Sequence, residues 1–208
     1  GLVLFLGPHS VRIFADDWRT RTIEKVGEKA YKGIYTVLTL IGFYALIVGY
    51  ADARMQPIVI WQPPIATRHV SVLLMWFASI LLVAAHLPGN QLKLRLGHPM
   101  VLSVKVWALA HLLANGTLAH VVLFGAFLLW SVLTFRASRQ RDRAQALYYP
   151  PGETVPTLIT VGVGVLLWLV VLGCASPTAM RVARPTVAEV VVQPATTTLL
   201  VEAAARGC

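Results

Sequence analysis

The chain has 208 residues, of which 57% are hydrophobic and 13% are charged, and its net charge is +9. Since about a quarter of the residues in a soluble domain are charged, this composition excludes an ordinary soluble protein and predicts an integral membrane protein. The basic residues lie between apolar segments and do not form a stripe. This pattern favours membrane lipid as the partner and argues against nucleic acid.

The first half of the chain contains three apolar segments. The first covers residues 1–14, and we expect it to be an N-terminally incomplete first membrane helix, with a processed terminus as the alternative. Residues 15–33 are mixed in charge and predict an amphipathic helix on the membrane surface. The second and third spans are expected at about 34–51 and 70–87, with a proline-rich loop between them.

The second half contains three further apolar segments. The fourth span is expected to begin at Pro99, a favourable first helical residue, and the fifth covers about 117–135. Residues 157–174 form a weaker sixth candidate, and 175–208 have the composition of a low-complexity tail. The sequence therefore predicts an all-α, polytopic membrane bundle of five to six transmembrane helices within residues 1–174.

Lysine and arginine are unevenly distributed among the loops. Loops two and four hold only Arg54 and Arg68, whereas the loops after the first, third and fifth spans are rich in basic residues. The positive-inside rule then places the odd loops in the cytoplasm and the N-terminus outside. The basic residues of the odd loops are Arg12, Arg19, Arg21, Lys25, Lys29, Lys32, Lys93, Arg95, Arg136, Arg139, Arg141 and Arg143.

Two of the six histidines, His9 and His111, lie inside apolar segments. An ionisable side chain in the membrane is a functional candidate, and imidazole is the commonest metal ligand, so the pair indicates a possible haem site. The alternative for His9 is a structural hydrogen bond to the carbonyl that Pro8 leaves free. His111 shares a helical face with Trp107 and Asn115, which are expected to line the same pocket.

The remaining four histidines are expected at the membrane surface. No C-x-x-C-H motif is present, which excludes a covalently attached c-type haem, and phosphate-binding loops are also absent. Counted from the expected cytoplasmic ends, His9 and His111 differ in depth by about 9 Å, a difference that tilt or a kink at Pro8 would have to close.

Three stretches of the chain resemble, in order, the NnrU family of bacterial membrane proteins. They are GLVLFLGPHSVRIF, VGEKAYKGIYTVLTLIGF and GHPMVLSVKVWALAHLLANG, and the resemblance extends over residues 1–135. It implies the bacterial inner membrane and a link to denitrification. The family is related to 15-cis-zeta-carotene isomerase. That relationship implies haem b bound by His9 and His111, and isomerisation of a cis double bond in a polyene.

The resemblance has two departures. The isomerase carries a ligand cysteine three residues before its second histidine, where this chain has Ala108. Gly97-His98-Pro99 also resembles the H-P motif of membrane methyltransferases that bind S-adenosylmethionine, but their downstream acidic and Arg-Pro elements are not found.

We therefore expect an inner-membrane haem b protein whose further ligand is a polyene or nitric oxide. Trp107 and Asn115 would line its pocket, with Asn115 as an outer hydrogen-bond donor to a ligand histidine. The alternatives are a non-catalytic assembly factor for membrane reductases and an S-adenosylmethionine-dependent methyltransferase.

Overall fold

The computed structural model describes residues 1–149 and 151–174, which form eight helices joined by short loops. The predicted low-complexity tail, 175–208, lies outside the described residues. In chain order the helices are α1 Leu2–Phe14, α2 Asp16–Val26, α3 Glu28–Ala53, α4 Ile65–His86, α5 Gln91–Leu96, α6 Pro99–Ala114, α7 Leu118–Ala144 and α8 Thr154–Cys174.

Within the described residues, four helices are long and apolar enough to cross a membrane, namely α3, α4, α7 and α8. The prediction of a polytopic all-α membrane bundle is confirmed, but the predicted number of five to six spans is wrong. Each spanning helix is longer than the apolar segment that predicted it, because its ends extend into polar flanking residues. The hydrocarbon core is about 30 Å thick, and these extensions supply the missing length.

The two other apolar helices, α1 and α6, are shorter than these four candidate spans. They have 13 and 16 residues, which correspond to about 20 Å and 24 Å. Helix α1 ends where Ala15 leaves the helical conformation, with φ −144° and ψ 46°. Helix α6 begins at Pro99, as predicted, and ends at Ala114, because Asn115 has an extended conformation.

The predicted amphipathic helix over 15–33 is divided in the structure. Helix α2 ends at Gly27, whose φ of +84° is a conformation that glycine adopts without strain. Helix α3 begins at the next residue, Glu28, so the basic residues after Gly27 form the first turns of a spanning helix.

Helices α4, α6 and α7 pack against one another in chain order, and α1 packs against α3 and α7. The α1–α3 contact is close, since a Cβ atom placed on Gly42 would lie 2.6 Å from the carbonyl carbon of Leu4. Ala108, Leu123 and Phe124 form the buried core between α6 and α7.

The chain divides into two compact units, Gly1–Val165 and Leu166–Cys208. The first unit contains α1 to α7 and the start of α8. In the first unit, Arg141 Nη1 donates to the carbonyl of Arg12 at 3.0 Å, so the ends of α1 and α7 that carry these arginines lie together. We call this end of the first unit the basic end. The described part of the second unit is the remainder of α8, with exposed side chains such as Leu166 and Val170.

Candidate functional site

His9 lies in α1 directly after Pro8, and its side chain is half-buried. Its Nδ1 is 2.7 Å from the carbonyl oxygen of Phe5, one turn earlier. A carbonyl oxygen only accepts hydrogen bonds, so Nδ1 carries the proton and donates it. In the neutral ring, Nε2 then holds the lone pair and is available as a metal ligand.

Aromatic rings surround His9. The ring centres of Phe5, Tyr35 and Trp130 lie 4.7, 5.4 and 6.0 Å from that of His9, and Trp130 meets the imidazole edge-on. The indole Nε1 of Trp130 is buried, and no acceptor for it exists among the residues that the structure describes. A buried N–H without an acceptor is rare in proteins, so this atom marks a place where a bound molecule could supply one.

His111 lies in the last turn of α6, within a second group of rings. It stacks on Phe124 of α7, with ring centres 4.5 Å apart and planes at 10°, and Trp107 meets it edge-on at 5.2 Å. The structure thus brings together His111 and Trp107, which the sequence placed on one face. The Asn115 amide donates to the backbone carbonyl of His111 at 2.9 Å and so closes the end of α6.

The two histidines belong to neighbouring groups of rings. Among the ring contacts of the described residues, none joins His9 to His111 directly. The connection runs from Phe5 to Phe127 at 5.9 Å and from Phe127 to Trp107 at 5.6 Å. His111 packs at the level of Phe124 and His9 at the level of Trp130. These positions on α7 are six residues, or about 9 Å, apart, which is the offset expected from the sequence.

The residues around His9 and His111 are of the types that a haem site requires. Within the described ranges, no group of three or more histidine, cysteine, aspartate or glutamate side chains is arranged to hold a metal ion. A haem needs only one or two axial ligands from the protein, because the porphyrin supplies the others. An imidazole with a free Nε2, a second imidazole on the adjoining helices and the aromatic rings between them meet that requirement.

Apart from Trp107, the aromatic residues around the histidines were not predicted from the sequence. Three of them, Phe124, Phe127 and Trp130, recur every third residue and so lie along one face of α7. This spacing could have identified the three residues from the sequence alone. No sequence pattern indicated Phe5 and Tyr35, because their contact with His9 depends on how α1 and α3 pack.

His98, which begins α6, has a partner that the sequence did not reveal. Its Nε2 lies 2.8 Å from Oδ2 of Asp142 at the end of α7, and the hydroxyl of Tyr149 donates to the same carboxylate oxygen at 3.3 Å. Burial, followed by the negative charge of Asp142 and its hydrogen bond, raises the pKa of Tyr149 above its ordinary value. This cluster joins the start of α6 to the end of α7.

The other histidines sit near helix ends. His86 Nδ1 is 2.9 Å from the carbonyl oxygen of Leu82, and His69 is exposed. His120 Nδ1 lies 2.5 Å from the hydroxyl oxygen of Thr117.

Four long apolar helices, with many large hydrophobic side chains on their outer surfaces, define a multi-pass helical membrane protein. The sequence model of one family, described as NnrU protein, matches residues 1–183. The chain therefore belongs to the NnrU family, as its three characteristic stretches predicted. No curated protein and no solved structure is found to match the chain.

Proposed function

We propose that this NnrU-family protein binds haem b in the bacterial inner membrane, with His9 and His111 as axial ligands. The observation that carries the proposal is the position of His9, which packs among aromatic rings and whose Nδ1 donates to the Phe5 carbonyl. Metal-ligating histidines usually donate their second ring nitrogen in this way, which fixes the tautomer and the orientation of the ring.

The surroundings of His9 distinguish it from His86. Both rings bond to a carbonyl oxygen four residues earlier, so this hydrogen bond alone does not identify a ligand. His86 is exposed at the end of α4, whereas His9 is half-buried and packs against Tyr35, Phe5 and Trp130. An aromatic environment favours haem, most of whose surface is apolar.

Ligation by both histidines requires the rings between them to separate. An imidazole nitrogen binds a metal at about 2 Å, so two axial imidazoles place their nitrogens about 4 Å apart. In the structure, Phe5 and Phe127 lie between the two histidines. His9 and His111 would therefore hold one haem together only if the Phe5–Phe127 contact opened.

We propose a role in denitrification, either sensing redox state or responding to nitric oxide. Bound haem iron supplies a redox couple and a binding site for a diatomic ligand. Ala108, where the isomerase has its ligand cysteine, is fully buried and packs with Leu123 and Phe124. Since position 108 has no thiol, a cysteine cannot exchange as a ligand there. This absence makes polyene isomerase activity the less favoured hypothesis.

An absorption spectrum of the purified protein titrated with haem b tests the proposal. We expect a Soret band whose intensity saturates at one haem per chain. His9→Ala should weaken haem binding about tenfold or more, and His86→Ala, the matched control, should leave it unchanged. If the wild-type protein shows no Soret band, but deleting the protein from cells still abolishes reductase activity, the result would instead support a non-catalytic assembly factor.

A further inference from the structure

A cavity of about 430 Å³ opens at the basic end of the first unit, between α1, α2 and the first turns of α3. This volume lies within the usual range for small-molecule sites. Three cationic side chains line it, Arg12, Arg19 and Lys32, together with one carboxylate, Glu28. The charged lining therefore has an excess of two positive charges.

The cations of this cavity differ in how far they are neutralised. Lys32 Nζ lies 2.6 Å from Glu28, and both side chains are largely exposed. Arg19 lies 4.0 Å from Asp16, at the limit of an ion pair, and its guanidinium covers the ring of Tyr31. None of the ion pairs among the described residues includes Arg12. Arg12 and Arg19 thus leave positive charge available to an anion.

The cavity lies where a polar surface meets an apolar one. Helix α1 ends at Phe14, which is 73% exposed, and Trp18 on the next helix is 54% exposed. Tryptophan is enriched at the membrane–water interface. Ile34, on the first turns of α3, is also exposed. A molecule in this cavity therefore has its polar part beside arginine and has apolar helix surface next to it.

We propose that this cavity binds the phosphate of an anionic phospholipid such as phosphatidylglycerol. Arginine guanidinium groups bind phosphate oxygens through charge-assisted hydrogen bonds. The exposed apolar side chains beside the cavity give the acyl chains a surface to lie on, which a free phosphate ion would not use. His9 also lines this cavity, but the proposal concerns Arg12 and Arg19 and does not depend on haem.

Native mass spectrometry of the protein in detergent tests the proposal, with phosphatidylglycerol or phosphatidylcholine added. We expect one tightly held phosphatidylglycerol per chain and weaker binding of phosphatidylcholine. The double variant Arg12→Gln, Arg19→Gln should weaken phosphatidylglycerol binding about thirtyfold. The matched control, Arg136→Gln with Arg143→Gln, removes the same charge from exposed positions outside the cavity and should change binding less than about twofold.

Three outcomes would overturn the proposal: equal binding of both lipids, equal loss in both double variants, or displacement of the lipid by excess inorganic phosphate. If the cavity double variant does not fold, as judged by circular dichroism, each single variant should still weaken binding about fivefold. No weakening in either single variant would also overturn it. His111→Ala, which alters the other proposed haem ligand and lies outside the cavity lining, should leave lipid binding unchanged, so failure of the haem proposal would be seen separately.

Discussion

Hydroxyl side chains in the membrane helices mostly bond to the backbone of their own helix. Such bonds satisfy polar groups where no water is present, and they depend only on residues three or four positions away. His9 uses the same arrangement with an imidazole. These local bonds follow from sequence spacing, and examples are those of Ser10, Ser71, Ser79, Thr134 and Thr160 to the carbonyls four residues earlier.

Hydrogen bonds between helices could not be predicted from spacing. Ser103 on α6 donates to the carbonyl of Ala78 on α4, and His98 pairs with Asp142, 44 residues away. Asp142 lies among arginines in a basic loop, so its sequence context indicated a solvated charge. Only the packing of α6 against α7 brings it to His98.

Asn90 makes three side-chain hydrogen bonds at the start of α5. It is fully buried, its Oδ1 accepts from the backbone N–H of Lys93, and its Nδ2 donates to the carbonyls of Ala84 and Leu87. Asn90→Ala removes the cap of α5 and leaves buried carbonyls without a donor. We expect the free energy of unfolding to fall by about 2–4 kcal/mol, measured by thermal or denaturant unfolding in detergent.

Asn115→Ala is the control for this substitution. The half-buried side-chain amide of Asn115 makes one hydrogen bond, to the carbonyl of His111. A loss of about 1 kcal/mol is expected. If the Asn90 variant were no less stable than the Asn115 variant, the three hydrogen bonds of Asn90 would not contribute as described.

At the level of helices, the sequence predicted where apolar segments lie but not how many cross the membrane. Apolar composition marks the middle of a span, whereas its length depends on how far the helix continues into polar flanks. Helix α7 continues for nine residues beyond the predicted end at 135, to Ala144, whereas α6 stops at Asn115. The difference arises because α7 meets helix-favouring arginine, glutamine and alanine, and α6 meets Asn115-Gly116.

The close contact between α1 and α3 depends on Gly42. Any Cβ at this position would meet the backbone of Leu4 and Phe5, which cannot move aside as a flexible side chain could. Gly42→Ala should therefore separate the helices and lower the free energy of unfolding by about 1–3 kcal/mol. Thermal unfolding followed by circular dichroism measures the change.

Gly33→Ala provides the matched comparison on the same helix. A Cβ there has no atom within 4 Å, and alanine is the better helix former. Its unfolding temperature should be unchanged or slightly higher. Equal destabilisation by the two substitutions would show that the α1–α3 contact is not as close as the structure places it.

For the whole molecule, the distribution of charge predicts which side of the membrane each end faces. Arg12 lies in the last turn of α1 and Arg141 near the end of α7, and they meet at the basic end of the first unit. This contact agrees with the expectation that the odd loops share one side. Helix α6 starts beside the end of α7 and finishes at the opposite end of the unit, where the carbonyl of Gly116 accepts from the Ile60 N–H at 2.8 Å. Although α6 is shorter than the four candidate spans, it returns the chain to the end that carries the loop before α4. The positive-inside rule then assigns the basic end to the cytoplasm.

Cysteine labelling tests this orientation. In a background where Cys174 and Cys208 are serine, Gln62→Cys and Gln145→Cys each introduce one thiol at an exposed loop position. A membrane-impermeant maleimide added to intact spheroplasts should label position 62, and position 145 should react only after lysis. The reverse pattern would contradict the assigned orientation.

The candidate site was predictable only in part. His9 and His111 stood out because each is an ionisable residue in an apolar segment, and the 9 Å offset between them followed from counting residues. The rings of Phe5 and Phe127 between the two histidines could not be predicted, because phenylalanine in a membrane helix ordinarily faces lipid or core. They bear directly on the central claim, since both histidines bind one haem only if these rings separate.

Electron paramagnetic resonance of the ferric, haem-loaded protein tests that claim most directly, because the spin state reports the number of axial imidazoles. We predict a low-spin signal for the wild type. His111→Ala should convert it to a high-spin signal with the haem still bound by His9. A high-spin wild type, or a low-spin signal that persists in His111→Ala, would contradict ligation by both histidines.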